Sequence, residues 1–157
     1  MKINIGRLVV CIAIPLLVGG VAGFLTRNSM ETFALLEKPP FAPPAWLFPV
    51  AWTILYILMG IASYLVLEAD VDLQEKQNAI NVYFYQLIVN FLWPVFFFNL
   101  GWYLFAFFWL ILLWVLVWIT FRRFYEISRL AGYLLVPYLL WLTFAGYLNL
   151  GVWNLNR

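Results

Sequence analysis

The chain has 157 residues, of which 66% are hydrophobic, 21% aromatic and 10% charged, and its formal net charge is +2. Soluble domains average about 45–50% apolar and about 25% charged residues, so this chain has too few polar side chains to cover a surface in water. The small charge argues against a nucleic-acid partner, and the absence of histidine removes the commonest metal ligand, so we expect no metal and no required cofactor.

Five continuous apolar runs follow one another along the chain. Each is close to the roughly 20 residues that cross the hydrocarbon as a helix, and none alternates as a transmembrane barrel strand does. We therefore predict an all-α integral membrane bundle of five transmembrane helices, in one domain over residues 1–157. The predicted spans are about 8–26, 45–67, 79–99, 102–121 and 130–152.

The first run, residues 8–26, has two interpretations. Val21-Ala22-Gly23 is small enough to resemble the cleavage site of a secretory signal peptide. The length of the run favours a membrane span over a short signal core. As a span, it offers Gly19, Gly20 and Gly23 as a flat strip where another helix backbone can approach.

The links between the runs differ in length and charge. Residues 27–44 form a long link rich in proline, and residues 99–101 are short enough to make the third and fourth spans antiparallel neighbours. Six Lys and Arg residues lie on the side of the N-terminus and three on the other, namely Lys2, Arg7, Lys76, Arg122, Arg123 and Arg129 against Arg27, Lys38 and Arg157. This excess predicts a cytoplasmic N-terminus and a proline-rich link outside.

No charged side chain lies well inside a predicted span, which argues against a proton pump or a channel for charged ions. Three spans instead carry faces of rings, small residues and amides at steps of four, a spacing that keeps residues on one side of a helix. These faces are Trp52, Tyr56 and Gly60; Gln86 and Asn90; and Pro137, Trp141, Ala145 and Asn149.

If these three faces converge, they form a site for a large, flat, apolar ligand. A structural interpretation stands beside this one. Intramembrane amides often only tie helices together, and tryptophans near span ends commonly anchor the helix at the interface, a role that suits Trp46, Trp102, Trp118 and Trp153.

Three motifs carry a resemblance to a known family. They are KPPFAPPAWLFPVAWTILYILMG, QLIVNFLWPVFFF and AGYLLVPYLLWLTFAGYLNLGVWNLN, at residues 38–60, 86–98 and 131–156. In this order they closely resemble the TspO/MBR family, whose members include the translocator protein or peripheral benzodiazepine receptor. The resemblance implies a five-helix membrane bundle, commonly a homodimer, that binds porphyrins and related tetrapyrroles, with sterols in some members.

The resemblance also implies where the ligand lies, between the helices and under the first loop. Carried over by motif, the binding positions are Trp52, Tyr56, Asn90, Trp93, Phe97, Trp141 and Ala145. The chain departs from the family at Trp153, where the sterol-recognition pattern needs a tyrosine. It also departs at Pro94, which removes a backbone donor from the third span and should bend it.

The proline-rich link predicts a stiff, extended lid loop over residues 27–44. Each proline fixes its own φ and pushes the preceding residue towards extended geometry, and aromatic side chains add apolar surface that can press on a ligand or the bundle. The lid residues are Pro39, Pro40, Phe41, Pro43, Pro44 and Trp46. The alternative is a helix-start device, with Pro44 or Pro49 in the first turn of the second span.

We expect a receptor or sensor that holds protoporphyrin or a similar porphyrin by stacking on Trp52 and Trp141. Asn90 supplies one hydrogen bond, and the propionates reach Arg27 or Lys38. The alternatives are a light- and oxygen-dependent porphyrin-degrading enzyme in which the two tryptophans are electron donors or quenchers, and a transporter of porphyrin or a sterol-type lipophile. The expected location is a prokaryotic cytoplasmic membrane, where lipid is the surrounding partner.

Overall fold

The structure is a computed structural model that describes residues 2–157, and every regular element within that range is helical. The six α-helices are α1 Ile5–Thr26, α2 Met30–Ala34, α3 Leu47–Glu68, α4 Leu73–Pro94, α5 Tyr103–Ile127 and α6 Arg129–Asn156. A 3₁₀ turn, Arg27–Ser29, joins α1 to α2, and a π-helical turn, Val95–Asn99, extends α4.

Five helical stretches of residues 2–157 are long and apolar enough to cross a membrane, which confirms the predicted all-α membrane bundle. They are Ile5–Ala34, Leu47–Glu68, Leu73–Asn99, Tyr103–Ile127 and Arg129–Asn156. Most run several residues beyond the predicted apolar runs. The 28 residues of α6 reach about 42 Å, so its ends extend past a hydrocarbon core of about 30 Å into the headgroup region.

The core lies where α3, α4, α5 and α6 meet, around fully buried side chains such as Met59, Phe124 and Tyr138. Helix α4 packs against α5, as the short link at residues 99–101 predicts. Helix α5 also packs against α6, and α3 packs against α6. Helix α1 lies at the side of this core against α3 and is the least buried of the five spans.

Helices α1 and α3 approach each other backbone to backbone at Gly60. A Cβ atom there would lie 2.6 Å from Ile12 Cα and 2.7 Å from the Cys11 carbonyl oxygen. That carbonyl has no helical donor, because the residue four positions later is Pro15 and proline lacks an N–H. The turn of α1 that proline weakens is therefore the turn that approaches α3 most closely, and the absence of a side chain at Gly60 permits that approach.

The three glycines of the predicted strip on α1 do not all face the same way. A Cβ at Gly19 would overlap the Tyr56 ring, so Gly19 faces α3 within the chain. A Cβ at Gly20 or at Gly23 would meet no other atom within 4 Å, so these two glycines face away from the bundle. Of the strip, only these two remain open to another helix.

The first part of the lid loop is helical, which corrects the prediction of an extended link from residue 27. Residues 27–34 continue α1 through the 3₁₀ turn and α2. Phe33 packs on Phe97 and Phe98, with ring centroids 5.8 and 5.2 Å apart, and Ser29 Oγ donates to Asn99 Oδ1 at 2.6 Å. The helix persists because no proline occurs between residue 27 and Pro39 and because these contacts hold it on the end of α4.

Pro94 marks a change of helix type, in line with the predicted local distortion. After Pro94, the Leu100 N–H donates to the Val95 carbonyl at 3.0 Å, which is the longer-range hydrogen bond of a π-helical turn. Gly101 then takes a positive φ of 65°, which glycine adopts without steric cost. This turn delivers the chain into α5.

Candidate functional site

Aromatic rings from α3 and α6 meet inside the bundle, towards its lid end. Trp52 stacks on Tyr56 with centroids 5.6 Å apart, and its edge or face meets Tyr138 and Trp141 at 6.1 and 6.4 Å. Phe48, one turn before Trp52, contacts Trp141 at 6.0 Å. We call these five side chains, Phe48, Trp52, Tyr56, Tyr138 and Trp141, the aromatic box. The geometry unites two of the three predicted faces.

The third face joins through a buried chain of hydrogen bonds. Tyr56 Oη donates to Asn90 Oδ1 at 2.7 Å, and Asn90 Nδ2 donates to Tyr138 Oη at 2.7 Å. Tyr138 Oη in turn donates to Gln86 Oε1 at 2.8 Å. The two amides therefore connect α3, α4 and α6, which is the helix-tying role that the structural interpretation predicts. Asn90 keeps one N–H and one lone pair for a ligand.

Tyr138 is the functional candidate that the sequence prediction missed. It is 1% exposed and supplies the phenol that links Asn90 to Gln86. The predicted face of α6 followed steps of four from Pro137, whereas Tyr138 precedes Trp141 by three. Because a helix places both i+3 and i+4 on one side, the step of three was the available signal.

Trp93 and Phe97 lie in a second aromatic cluster nearer the lid loop. Trp93 stacks on Phe97 at 5.1 Å, and Phe97 also contacts Tyr103 at 4.9 Å. Trp93 Nε1 donates to Asn149 Oδ1 at 3.0 Å, and Asn149 Nδ2 donates to the Tyr103 carbonyl at 2.8 Å. Trp93 packs against both clusters, while Phe97 belongs to the second one only.

The predicted binding set is therefore only partly brought together. Ala145, which is 8% exposed, packs in the main core beside the aromatic box, and Asn90 is bonded to Tyr56. Phe97 is separated from the box by Trp93. The rings of the box contact one another, so a macrocycle fits between Trp52 and Trp141 only if those rings move apart.

The middle of the lid loop docks on the last three turns of α6. Pro39 is buried against Gly151, where a Cβ atom would lie 2.6 Å from the proline ring. Tyr147 Oη donates to the Pro40 carbonyl at 2.7 Å. Asn156 then makes two hydrogen bonds with the backbone of Glu37, accepting from its N–H at 3.0 Å and donating to its carbonyl at 2.8 Å.

Two aromatic residues of the lid loop do not pack on the bundle, so for them only the expected contact with a ligand stays a prediction. Phe41 and Trp46 are 88% and 66% exposed. Phe41 has a φ of +68°, a left-handed conformation that is strained for a bulky side chain. The apolar contact with the bundle is made instead by Phe48, through Trp141.

The helix-start interpretation also finds support in the structure. Pro49 lies in the first turn of α3, where its missing N–H needs no partner. The carbonyl of Pro44 accepts the Leu47 N–H at 3.0 Å, and Pro43 is half-buried while Pro44 is exposed. The proline-rich segment thus does two things, since Pro39 and Pro40 dock and the later prolines start α3.

Both expected propionate partners lie at the lid end of the bundle. The Arg27 guanidinium covers the Phe24 ring at 3.7 Å. The Lys38 ammonium donates to the Leu36 carbonyl at 3.1 Å and lies 4.8 Å from the Phe33 ring centroid. Within residues 2–157, no group of three or more His, Cys, Asp or Glu side chains is arranged to hold a metal ion.

A groove of about 240 Å³ lies between α5 and α6, apart from the aromatic box. Its lining residues are Phe107, Leu110, Ile111, Trp114, Leu142, Thr143 and Gly146. Trp114 Nε1 donates to Thr143 Oγ1 at 3.0 Å, and Trp109 Nε1 donates to the Val89 carbonyl at 2.8 Å. Each of these two half-buried tryptophans therefore ties α5 to a neighbouring helix.

The sequence profile of the TspO/MBR family matches residues 11–154, a range that contains every predicted binding residue. The tryptophan-rich protein TspO of Chlorobaculum tepidum is 36% identical over 157 residues, which cover 99% of each chain. That of Archaeoglobus fulgidus is 40% identical over 154 residues, covering 98% of this chain and 99% of the relative. The tryptophan-rich sensory protein of Cereibacter sphaeroides is 37% identical over 126 residues, covering 80% and 77%.

Proposed function

The chain belongs to the TspO/MBR family of integral membrane proteins, and we propose that it is a membrane receptor or sensor that binds tetrapyrroles such as protoporphyrin IX. The observation that carries the proposal is the aromatic box itself. Rings from two helices face each other and are braced by the Asn90 network, beneath a loop that docks across the end of α6. A wide, flat, apolar ligand is what such an arrangement suits.

The macrocycle enters between Trp52 and Trp141. These indoles now meet at 88°, so one of them turns to lie parallel to the ligand, and each stacked pair contributes about 0.5–1.5 kcal/mol. Asn90 offers its remaining N–H to the ligand. Propionates extend towards the lid end, where Arg27 and Lys38 lie outside the apolar region and carry the opposite charge.

The sensor role rests on the lid loop and on the relative from Cereibacter sphaeroides that is named a sensory protein. Because the middle of the lid loop is held on α6 by three polar contacts and one buried proline, ligand entry can release it or hold it closed. That change in an exposed loop is a signal that another protein can read.

A light-dependent enzyme is the second candidate, favoured by one contact pattern. Trp52 touches both Tyr56 and Trp141, so three easily oxidised rings would flank a bound porphyrin, with the porphyrin as photosensitiser and oxygen as oxidant. A new absorbing product that requires light and oxygen and is lost in Trp141→Phe would establish this activity. Bleaching at the same rate in both proteins would leave binding alone.

We also propose a homodimer in a prokaryotic cytoplasmic membrane, with the N-terminus in the cytoplasm. Gly20 and Gly23 are the open part of the glycine strip on α1 and let a second helix approach closely. Reporter fusions at each terminus test the orientation, which the excess of Lys and Arg predicts. Cross-linking through Gly20→Cys, in a Cys11→Ala background, tests the contact.

The deciding experiment is a titration of purified protein with protoporphyrin IX in the dark, followed by porphyrin absorbance. Absorbance is preferable to tryptophan quenching here because the variants remove tryptophans. We expect saturable binding by the parent and binding at least about tenfold weaker in the double variant Trp52→Phe, Trp141→Phe. Trp118→Phe, at an exposed position of α5, is the matched control and should bind as the parent does. A double variant that binds as tightly as the parent would refute the stacking arrangement.

A further inference from the structure

The turn between α5 and α6 carries positive charge that the protein does not neutralise. Residues 122–129 contain Arg122, Arg123 and Arg129 against one acid, Glu126. All three arginines are exposed, and within residues 2–157 none of them forms an ion pair with Glu126 or with any other acid. Their guanidinium groups are therefore free to bind an anion from outside the chain.

Helical spacing places two of these arginines beside the seam where α5 and α6 meet. Arg122 follows Trp118 by four positions and Arg129 precedes Tyr133 by four, so each shares a face of its helix with an exposed ring. Arg123 is turned by about 140° from Trp118 at 3.6 residues per turn. Arg123 therefore points away from the seam, although it belongs to the same turn.

A continuous strip of rings runs along the seam from these two arginines to the groove between α5 and α6. Successive ring centroids lie 5.4–5.9 Å apart, and every ring is half-buried or exposed. We call this row the ring strip: Trp114, Trp118, Phe121, Tyr125 and Tyr133. It ends at Trp114, which also lines the groove.

The two helices touch at the arginine end of the seam. A Cβ atom at Gly132 would lie 2.7 Å from Tyr125 Cβ and 2.9 Å from Tyr125 Cα, so the missing side chain permits this contact. Arg122 lies three residues to the membrane side of Tyr125, and Arg129 lies three residues to the outer side of Gly132. A phosphate at the level of this contact is therefore only about 4–5 Å in depth from each arginine Cα.

The groove lies one leaflet deeper than this contact. Trp114 is eleven residues from Tyr125, and Thr143, its hydrogen-bond partner, is eleven residues from Gly132. Eleven residues of helix span about 16 Å, close to half of a hydrocarbon core of about 30 Å. An acyl chain that starts at the Gly132 contact therefore ends at the groove.

We propose that the seam binds an anionic phospholipid, with its phosphate between Arg122 and Arg129 and one acyl chain along the ring strip towards the groove. Guanidinium groups bind phosphate through paired, charge-assisted hydrogen bonds, and the chain covers the apolar rings. A second copy of this chain suits the seam less well. A two-fold axis along the membrane normal would bring the arginines of both copies together at one depth.

The test compares two lipids that have the same acyl chains and different headgroup charge. Protein in a neutral detergent is titrated with dioleoyl phosphatidylglycerol or with dioleoyl phosphatidylcholine, and native mass spectrometry gives each dissociation constant. We expect the parent to prefer the anionic lipid about 5- to 30-fold, since each arginine near a membrane surface contributes about fivefold. The double variant Arg122→Gln, Arg129→Gln should bind the two lipids equally.

A matched control removes the same charge from the same end of the bundle. Lys2→Gln, Arg123→Gln changes two exposed cations away from the seam, because Lys2 precedes α1, which packs on α3 and α4. This control should keep the preference of the parent. Equal binding of both lipids by the parent, or an equal loss of preference in the two double variants, would overturn the proposal.

The acyl chain is tested at Gly146, on the floor of the groove. A Cβ there has no neighbour closer than 3.9 Å, so Gly146→Leu can fill the groove with its side chain. Both lipids should then bind at least about fourfold more weakly, the value of one displaced CH₂ group, with their ratio unchanged. Unchanged affinities would overturn the placement of the acyl chain.

A further measurement needs only the parent protein, in case a variant does not fold. Glycerol 3-phosphate carries the charged group of the lipid without its chains. At the same concentration as phosphatidylglycerol, it should not displace that lipid from the parent. Displacement would show that the arginines bind a free anion and that the ring strip contributes nothing, which would overturn the proposal.

Discussion

The contact between Pro39 and Gly151 makes the docking of the lid loop testable by one methyl group. In Gly151→Ala, the new carbon would lie 2.6 and 2.7 Å from two atoms of the Pro39 ring. Real carbon atoms do not approach so closely, and a proline ring cannot turn aside independently of its backbone. The loop therefore has to move away from α6 by about 1 Å to restore the normal separation of about 3.5–4.0 Å.

A movement of that size breaks the polar contacts on either side. The three hydrogen bonds of Glu37 and Pro40 with α6 have lengths of 2.7, 2.8 and 3.0 Å and are lost beyond about 3.5 Å. Each contributes about 0.5–1.5 kcal/mol, and their exposure favours the lower part of that range. Loss of all three therefore weakens docking by about 1–3 kcal/mol, which is a factor of roughly 5 to 150 in the docking equilibrium.

Hydrogen exchange of the lid loop in a membrane mimetic measures this change directly and needs no ligand. We expect the Glu37 amide, whose acceptor is Asn156, to exchange about 5 to 150 times faster in Gly151→Ala than in the parent. Gly146→Ala is the matched control on the same helix, because its new carbon has no neighbour closer than 3.9 Å. Unchanged exchange in Gly151→Ala, or equal acceleration in the control, would refute the reasoning.

Three further substitutions probe the bundle. Tyr138→Phe leaves Asn90 Nδ2 and Gln86 Oε1 without partners and should destabilise the protein by about 1–3 kcal/mol. Thermal unfolding in detergent measures this loss, with Tyr133→Phe, at a 56% exposed position, as the control. Equal melting curves for the two variants would contradict the prediction. Gly60→Ala forces α1 and α3 apart, since its new carbon would lie 2.6 Å from Ile12 Cα. Its melting temperature should lie well below that of Gly20→Ala, whose new carbon meets nothing within 4 Å. Equal melting temperatures would show that α1 and α3 can separate at little cost. Glu68→Gln breaks the 2.7 Å ion pair with Arg7. Because the Arg7 and Glu68 side chains are 49% and 21% exposed, the free energy of unfolding should change by less than about 1 kcal/mol. A larger loss that does not depend on salt would show that solvent does not screen the pair.

The five membrane helices could be predicted from the sequence because each apolar run has to span the hydrocarbon, and length alone decides that. The placement of Trp52 and Tyr56 on one face of the second span, and of Trp141 on a face of the fifth, was also accessible, because helical periodicity places residues four apart on one side. Whether those faces meet was left as a condition, and the ring contacts between α3 and α6 show that they do. The amides Gln86 and Asn90 were recognised as interior groups for the same reason. These are local properties, which a linear pattern contains.

The docking of the lid loop was not accessible in this way. Glu37 and Asn156 are 119 positions apart, and Tyr147 and Pro40 are 107 apart. No periodicity relates such residues, and Gly151 carries no side chain to mark it as a contact. The exposure of Phe41 and Trp46 was likewise hidden, because a positive φ at Phe41 is imposed by the path of the chain and not by the preference of phenylalanine.

The hydrogen-bond network around Asn90 could not be predicted from the sequence for a different reason. An amide in a span predicts a partner but not its identity, since tyrosine, indole and backbone carbonyl groups all serve. Tyr138 sits in an apolar stretch between Pro137 and Leu139, where a ring is expected simply to fill space. Its phenol becomes informative only when α4 is known to lie opposite.

The distance along the chain between the lid loop and its dock also sets an order of events during synthesis. At about 5–20 residues per second, the 119 residues that separate Glu37 from Asn156 take roughly 6–24 s to make. Until α6 emerges and inserts, the loop has no surface to rest on and the aromatic box lacks Tyr138 and Trp141. The bundle is therefore incomplete until α6 inserts, because that one helix supplies both the Tyr138 and Trp141 side of the aromatic box and the surface on which the lid loop docks.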